Sequence, residues 1–248
     1  MKPFLLLATR ADDAIADTEY RAFLRFGQLS AADLVRLRLE SAPLDDLLPG
    51  LELTEFSGVI VGGSPFTSSD PVSQKSPVQL RVERELQKLI KDVVTFDVPF
   101  LGACYGIGTL GLLLGGVVDR TFGEPVSAVE VSLTADGRAD PLLAGVPETF
   151  LAYVGHKEAL RQTPPGAVLL AASAGCPVQM FRVGRHQYAT QFHPELDVPG
   201  IVERMRAYRH SGYFDPDELD ALISQVSAAD VSWPSRVLRN FTARYAPT

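Results

Sequence analysis

Residues 98–114 read VPFLGACYGIGTLGLLL, and their pattern changes at Cys104. The apolar run before Cys104 predicts a buried strand, and the apolar run after it predicts a helix. A strand, a tight turn that carries one reactive side chain and a helix together form a nucleophile elbow. Because the nucleophile of such a turn has unfavourable backbone angles, its neighbours two residues away must be small, as Gly102 and Gly106 are. We therefore predict that Cys104 is a catalytic nucleophile.

Two backbone N–H groups near Cys104 are candidates for an oxyanion hole. Tyr105 begins the predicted helix, and a helix N-terminus favours negative charge, including a thiolate at Cys104. Residues 62–65 read GGSP and follow a predicted central strand, so this turn presents another N–H group toward the neighbouring strand end. We predict that Tyr105 and Gly63 are the two donors.

A base for the thiol and an acid to orient that base follow the last predicted strand. Residues 188–195 read YATQFHPE, so His193 and Glu195 stand two positions apart. In an extended chain such residues point the same way, and Pro194 stiffens the segment between them. Glu195 can then hold one imidazole nitrogen while the other faces Cys104. This spacing predicts a Cys–His–Glu triad.

The first half of the chain alternates between strand-like and helix-like segments. Strands are predicted at residues 4–9, 35–39, 58–61 and 100–104, and helices at residues 78–93 and 107–114. This alternation predicts an α/β fold with a mostly parallel sheet and helices on both faces. In the second half we predict strands at residues 128–133, 150–154, 168–172, 178–183 and 187–192, and a helix at residues 201–208. Residues 12–19, which contain four acidic side chains, are predicted to form a solvated loop.

The last part of the chain differs in character from the rest. We assign residues 1–212 to the catalytic domain and residues 213–248 to a C-terminal helical extension. Residues 216–219 are predicted to open a first helix of this extension. A second helix places an apolar stripe on one side, formed by Val237, Leu238, Phe241 and Tyr245. The stripe predicts a cap that packs on the domain. The alternative is a docking surface for another subunit or for a second copy of the chain.

The bulk composition excludes several classes of protein. The chain has 248 residues, a net charge of −7 and no basic cluster, which argues against nucleic acid and anionic membranes as partners. Its two cysteines, Cys104 and Cys176, imply no disulfide framework. The apolar run at the N-terminus is too short for a signal peptide or a membrane span. We therefore expect a cytoplasmic protein. We expect no metal or cofactor, because neither a zinc-binding spacing nor a phosphate loop occurs.

Residues 106–111 read GIGTLG and match the dinucleotide-binding fingerprint G-x-G-x-x-G. Two features argue against a cofactor here. The match lies in mid-chain rather than in the first βα unit. The fingerprint also requires an acid at the end of the next strand, about 20 residues further on, whereas Glu130 lies within a predicted strand. We interpret these glycines as serving the tight turn of the elbow and close helix packing.

Three segments occur in the order and context that is typical of class I glutamine amidotransferases: the elbow, residues 62–65 and residues 191–195. The chain resembles this family over about residues 1–210, and residues 155–158, GHKE, look like a segment of the GMP synthetase amidotransferase domain. The resemblance implies a flavodoxin-like sheet and release of ammonia from glutamine through a γ-glutamyl thioester on Cys104. It implies that His193 acts as general base and acid with Glu195 as its orienter. The implied substrate site comprises Gly62, Gly155, His156 and Lys157, with His156 as a loop residue or a second base.

Two departures from the family pattern leave the substrate and partner open. Ile107-Gly108 stands where many members have His-Gln, and Gly108 lacks the side chain with which that glutamine holds the substrate. We see no ATP-dependent synthetase domain after residue 210, so we expect any acceptor enzyme to be a separate chain or to be absent. Three functions follow as hypotheses: a glutaminase-type amidotransferase, a γ-glutamyl peptidase or hydrolase with a bulkier substrate, and a non-catalytic binding protein of the same fold.

Overall fold

A computed structural model describes residues 2–246 of the chain. Its strands are β1 (Phe4–Ala8), β2 (Leu34–Arg38), β3 (Gly58–Val61), β4 (Phe100–Ala103), β5 (Val118–Asp119), β6 (Glu124–Leu133), β7 (Thr149–His156), β8 (Ala159–Leu160), β9 (Val168–Ser173), β10 (Met180–Val183) and β11 (Gln187–Thr190). Its helices are α1 (Asp13–Gly27), α2 (Leu44–Leu47), α3 (Pro77–Thr95), α4 (Tyr105–Leu113), α5 (Ala135–Ala139), α6 (Val198–Ala207), α7 (Leu219–Ala228) and α8 (Pro234–Tyr245).

Nine of these strands form one sheet, in the order β2-β1-β3-β4-β11-β10-β9-β6-β7. The strands from β2 to β11 pair in parallel, and those from β11 to β7 pair antiparallel. The α/β, flavodoxin-like fold predicted from the sequence is confirmed. In the parallel part, β3, β4 and β11 are neighbours, so the segments that follow them meet at one edge of the sheet.

The side chains of β1 explain why both faces of the sheet are covered. Leu6 belongs to an apolar cluster with Phe23 of α1 and buried residues of α8. Leu5 belongs to a second cluster, which includes Leu86 of α3. Because successive side chains of a strand point to opposite faces, one continuous apolar run supplies both cores.

The predicted acidic loop at residues 12–19 is wrong. Asp12 instead caps α1 by accepting a hydrogen bond from the N–H of Ile15, at 3.0 Å. The helix has a buried side that includes Ile15 and Glu19, while Asp13 stays exposed. Four acids close together in sequence suggest a solvated segment. Three of them are exposed, at the cap and on the outer face of α1, but Glu19 points inward.

The apolar stripe of α8 lies within the core of this chain. Leu238 and Phe241 are completely buried, and the rings of Phe4 and Phe241 are 5.8 Å apart. Thr242 Oγ1 donates a hydrogen bond to the carbonyl of Gly27, at 2.7 Å. The predicted cap on the domain therefore describes α8, and the stripe is not available as a docking surface. The division of the chain at residue 212 stays a prediction.

Among residues 2–246, the helices lack the combined length and apolar character that a membrane crossing requires.

Candidate active site

Cys104 lies between β4 and α4 with backbone angles that side chains rarely adopt. Its φ is 52° and its ψ is −89°, and it occupies the N-cap position of α4. A Cβ atom on Gly102 would lie 2.7 Å from the carbonyl carbon of Gly106, and one on Gly106 would lie 3.0 Å from the oxygen of Val61. Both positions therefore require glycine, as the nucleophile elbow predicted from the sequence demands.

His193 and Glu195 follow β11, the parallel neighbour of β4. The N–H at His193 Nδ1 donates to Glu195 Oε1 over 2.8 Å. This contact leaves Nε2 for Cys104, which lines the same cavity as the ring and lies close enough to affect the pKa of His193. The structure thus brings the three predicted triad residues together, with Glu195 fully buried and Cys104 partly accessible.

Opposing effects set the charge states of the two buried partners. Burial alone would lower the pKa of His193, but its contacts with Glu195 and with an ionised Cys104 raise it to about 9. Burial likewise opposes ionisation of Glu195, yet His193 and Arg204 hold the pKa of this carboxyl well below its usual range. The geometry therefore favours a protonated imidazole beside the Glu195 carboxylate.

Three buried charged residues that the sequence did not indicate surround the triad. Arg204 Nη1 on α6 lies 3.0 Å from Glu195 Oε1, and its Nη2 donates to Glu19 Oε1 over 3.2 Å. Arg10 Nε donates to the same Glu19 oxygen over 2.8 Å. Glu19 and Arg204 are 185 residues apart in the chain, so no local spacing could have revealed the contact.

The turn at residues 62–65 lies beside the triad. A Cβ atom on Gly63 would be 2.8 Å from His193 Cε1 and 2.7 Å from Arg10 Nη2, so the backbone of Gly63 packs directly on both side chains. Tyr105 is the first residue of α4, and its N–H therefore has no acceptor within the helix. Both candidate oxyanion donors thus lie close to the Cys104–His193 pair.

Two small cavities meet at Cys104. The first is lined by Tyr105, Gly108 and the predicted substrate segment 155–157. The second lies on the side of His193 and Arg204. Tyr213, from the C-terminal extension, lines both cavities. The described residues that line the two cavities do not include Gly62, whose Cβ position faces the Glu19 carboxylate instead.

His156 and Lys157 have different surroundings within the first cavity. The ring nitrogens of His156 lie 3.0 Å from the carbonyl of Glu158 and 2.9 Å from Glu124 Oε2. Both nitrogens are therefore engaged, which argues against His156 as a second base. Lys157 lines the cavity, and its Nζ lies 4.7 Å from the centre of the Tyr213 ring.

Glu124 and His156 also approach Cys176 closely enough to suggest a metal site. However, Glu124 Oε2 already accepts hydrogen bonds from His156 and from Gln179 Nε2, the latter over 2.8 Å. Cys176 Sγ lies 3.6 Å from the carbonyl of Val178, and burial raises the pKa of the Cys176 thiol to about 12. We interpret this cluster as a buried hydrogen-bond network.

The glycines of the dinucleotide fingerprint lie inside α4 rather than in a loop before it. A Cβ atom on Gly111 would lie 2.6 Å from Leu160 Cδ2, so this glycine allows close packing of the helix. The arrangement agrees with the packing interpretation made from the sequence.

Comparisons with known proteins give one consistent result. The family model described as glutamine amidotransferase class-I matches residues 28–199. Over 175 residues the chain is 28% identical to a glutamine-hydrolyzing GMP synthase of Limosilactobacillus reuteri, covering 69% of this chain and 31% of that protein. It is 26% identical over 160 residues to one subunit of the glutamine-hydrolyzing GMP synthase of Pyrococcus abyssi, covering 63% of this chain and 73% of the relative. The chain thus spans about a third of the L. reuteri protein.

Solved structures with the same fold include two glutamine amidotransferases. The protein from Thermotoga maritima superposes with a TM-score of 0.76 at 20% identity, over 100% of both chains. The protein from Methylobacillus flagellatus gives a TM-score of 0.74 at 21% identity, over 99% of this chain and 94% of the other.

Proposed function

Because the chain belongs to the class I glutamine amidotransferase family, we propose that it hydrolyses the side-chain amide of glutamine through a thioester on Cys104. One observation carries this proposal: Cys104, on an elbow with positive φ, shares a cavity with the His193 ring that Glu195 holds. A nucleophile, a base and an orienting acid in contact are what acyl transfer by a thiol requires.

The proposed reaction has two halves. The Cys104 thiolate adds to the γ-carbonyl carbon, and the oxygen that becomes negative accepts hydrogen bonds from the N–H groups of Gly63 and Tyr105. The His193 imidazolium gives its proton to the amide nitrogen, the C–N bond breaks, and ammonia leaves a γ-glutamyl thioester. Neutral His193 then takes a proton from water, the resulting hydroxide attacks the thioester, and the C–S bond breaks to release glutamate and restore the thiolate.

Segment 155–157 is the part of the first cavity that we propose binds the α-carboxylate of the substrate. Lys157 supplies a positive charge at the cavity wall, and Gly155 and His156 present backbone at the same wall. Because the His156 ring is tied to Glu124 and Glu158, it fixes the conformation of this segment. In this proposal Gly62 contributes only through the turn it shares with Gly63.

A γ-glutamyl compound larger than glutamine is the second candidate substrate, and Gly108 is the observation that favours it. Gly108 lines the first cavity, and a Cβ atom there would meet only Val118, at 3.9–4.0 Å. The cavity wall is therefore open where many family members carry a glutamine side chain. In this alternative the triad cleaves a γ-glutamyl amide bond to a larger amine.

Substrate preference tests the two candidates directly. Release of ammonia from glutamine and of free amine from a set of γ-glutamyl peptides is measured under the same conditions. A higher kcat/KM for glutamine supports the amidotransferase proposal, and a higher value for a peptide supports the alternative. Turnover of neither class by the pure protein, alone or with a partner, would contradict both.

We expect the substitution Gly108→Gln to lower the KM for glutamine by about 2- to 10-fold, the effect of one added hydrogen bond. The open space around Gly108 accommodates the longer side chain, which then faces the first cavity. Steady-state kinetics with glutamine measure the effect, and Gly108→Ala is the matched control because it adds a side chain without an amide. If Gly108→Gln raises the KM for glutamine, the interpretation of this wall is wrong.

The partner is a further part of the proposal. The P. abyssi relative is named as one subunit of its enzyme, which supports an ammonia acceptor on a separate synthetase chain. We propose that this chain delivers ammonia to such a partner and that its own hydrolysis is slow until the partner binds. Addition of a cognate synthetase to the ammonia assay tests this point, and unchanged hydrolysis would argue against the partner. A cytoplasmic location stays a prediction.

A further inference from the structure

Behind the triad lies a buried array of four charged side chains: Arg10, Glu19, Glu195 and Arg204. The side chains of Glu19 and Glu195 are fully buried, and those of Arg10 and Arg204 are 5% and 9% exposed. Arg204 links the two carboxylates, since Nη1 lies 3.0 Å from Glu195 and Nη2 lies 3.2 Å from Glu19. Arg10 completes the array through its 2.8 Å contact with Glu19.

The array is balanced in charge without the charge of His193. Two guanidinium groups face two carboxylates, so the negative charge of Glu195 is compensated without a positive charge on His193. Burial opposes the charge of Arg10, but Glu19 raises the pKa of this guanidinium above its ordinary value, and the group stays positive. A positive charge on His193 is consequently left over for the one remaining anion, the Cys104 thiolate.

We propose that Arg204 is a positioning residue that compensates the charge of Glu195 and thereby leaves the His193 imidazolium free to stabilise the Cys104 thiolate. Without Arg204, the positive charge of His193 compensates Glu195, and an anion at the partly accessible Cys104 loses its counterion. The effect of Arg204 on catalysis rests on the thiol mechanism proposed above, whereas its effect on the Cys104 thiolate can be measured without glutamine.

The charged and titratable groups around His193 come from several elements of the fold. Arg204 Nη1 and His193 Nδ1 are both donors and lie 3.2 Å apart, since both approach Glu195 Oε1, at 3.0 Å and 2.8 Å, so the guanidinium and the imidazolium share this carboxylate oxygen. Arg10 reaches the ring across Gly63. The titratable and charged groups that share the second cavity with His193 are Arg10, Cys104, Arg204, Tyr208 and Tyr213.

The experiment measures how fast iodoacetamide alkylates Cys104 at neutral pH, with the labelled position identified by peptide mass spectrometry. Arg204→Met removes the charge and keeps the length of the side chain, and Arg204→Lys keeps the charge. Arg206→Met is the matched control, because Arg206 is an exposed arginine on the same helix. Glu19→Gln changes the balance in the opposite direction, since it leaves the array with one excess positive charge. Circular dichroism verifies that each variant is folded.

We expect Arg204→Met to slow alkylation about 10-fold or more, while Arg206→Met leaves it unchanged. Arg204→Lys is expected to keep most of the wild-type rate, and Glu19→Gln to react at least as fast as wild type. Alkylation of Arg204→Met within twofold of wild type would overturn the proposal. Slowing of Glu19→Gln to the level of Arg204→Met would also overturn it, because packing rather than charge would then explain both. A wild type that labels as expected but does not hydrolyse glutamine contradicts the proposed function and not this inference.

Discussion

Replacement of Cys104 by alanine is expected to reduce ammonia release from glutamine by roughly 10⁴-fold or more. The sulfur atom forms the covalent bond to the γ-carbonyl carbon, and the remaining groups of the site cannot replace it as a nucleophile. The neighbouring glycines and the N-terminus of α4 remain in place, so the fold is expected to persist. The measurement is the steady-state rate of ammonia formation at saturating glutamine.

Cys176→Ala provides the matched control, since it removes the other cysteine of the chain. Cys176 is fully buried and its thiol has a raised pKa, so this variant is expected to keep the wild-type rate. Equal ammonia release by wild type and Cys104→Ala would refute the thiol mechanism. If both proteins release ammonia only at the uncatalysed rate, the non-catalytic binding protein becomes the better hypothesis.

Glu195→Gln is expected to lower kcat by roughly 10²- to 10⁴-fold, because the amide neither holds the imidazole in one orientation nor stabilises its charge. It is also expected to change the pH dependence. Glu195 contributes to raising the pKa of His193 to about 9, so wild-type activity should fall as the pH rises through about 9 and the imidazolium loses its proton. Without the carboxylate, this loss of activity should move to lower pH.

The pH dependence of kcat/KM, measured for both proteins from neutral to alkaline pH, distinguishes this role from a purely structural one. A folded Glu195→Gln variant with a lower kcat and an unchanged alkaline limit would show that Glu195 does not set the charge of His193. Full activity in Glu195→Gln would remove it from the triad.

The elbow was predictable from sequence because every requirement for it is local. The apolar run before Cys104, the glycines on either side and the helical run after it all lie within residues 98–114. The pairing of His193 with Glu195 was predictable for the same reason, since two residues in an extended segment share a side. The family and the α/β fold predicted from these motifs are confirmed.

The buried array was not predictable, because its members meet only in the folded chain. Glu19 was interpreted as part of a solvated loop, yet it lies on the inner face of α1 against Arg10 and Arg204. The contribution of the C-terminal extension was also missed. Tyr213 was placed just beyond the predicted catalytic domain, but it lines both cavities beside Cys104.

The order of the antiparallel strands could not be derived either. The individual strands of the second half are recognisable from their apolar runs. However, β6 pairs on one side with β7, the next strand in sequence, and on the other side with β9, which lies further along the chain. Such pairings depend on long-range packing, which a single sequence does not encode in local patterns.

The claim on which the account depends is that His193 activates the thiol of Cys104. The most direct measurement is the rate at which an electrophilic glutamine analogue labels Cys104 at neutral pH in wild type and in His193→Asn. We expect rapid labelling of the wild type and labelling of the variant slower by about 10-fold or more, because the thiolate loses its counterion. Equal labelling rates in the two folded proteins would contradict it.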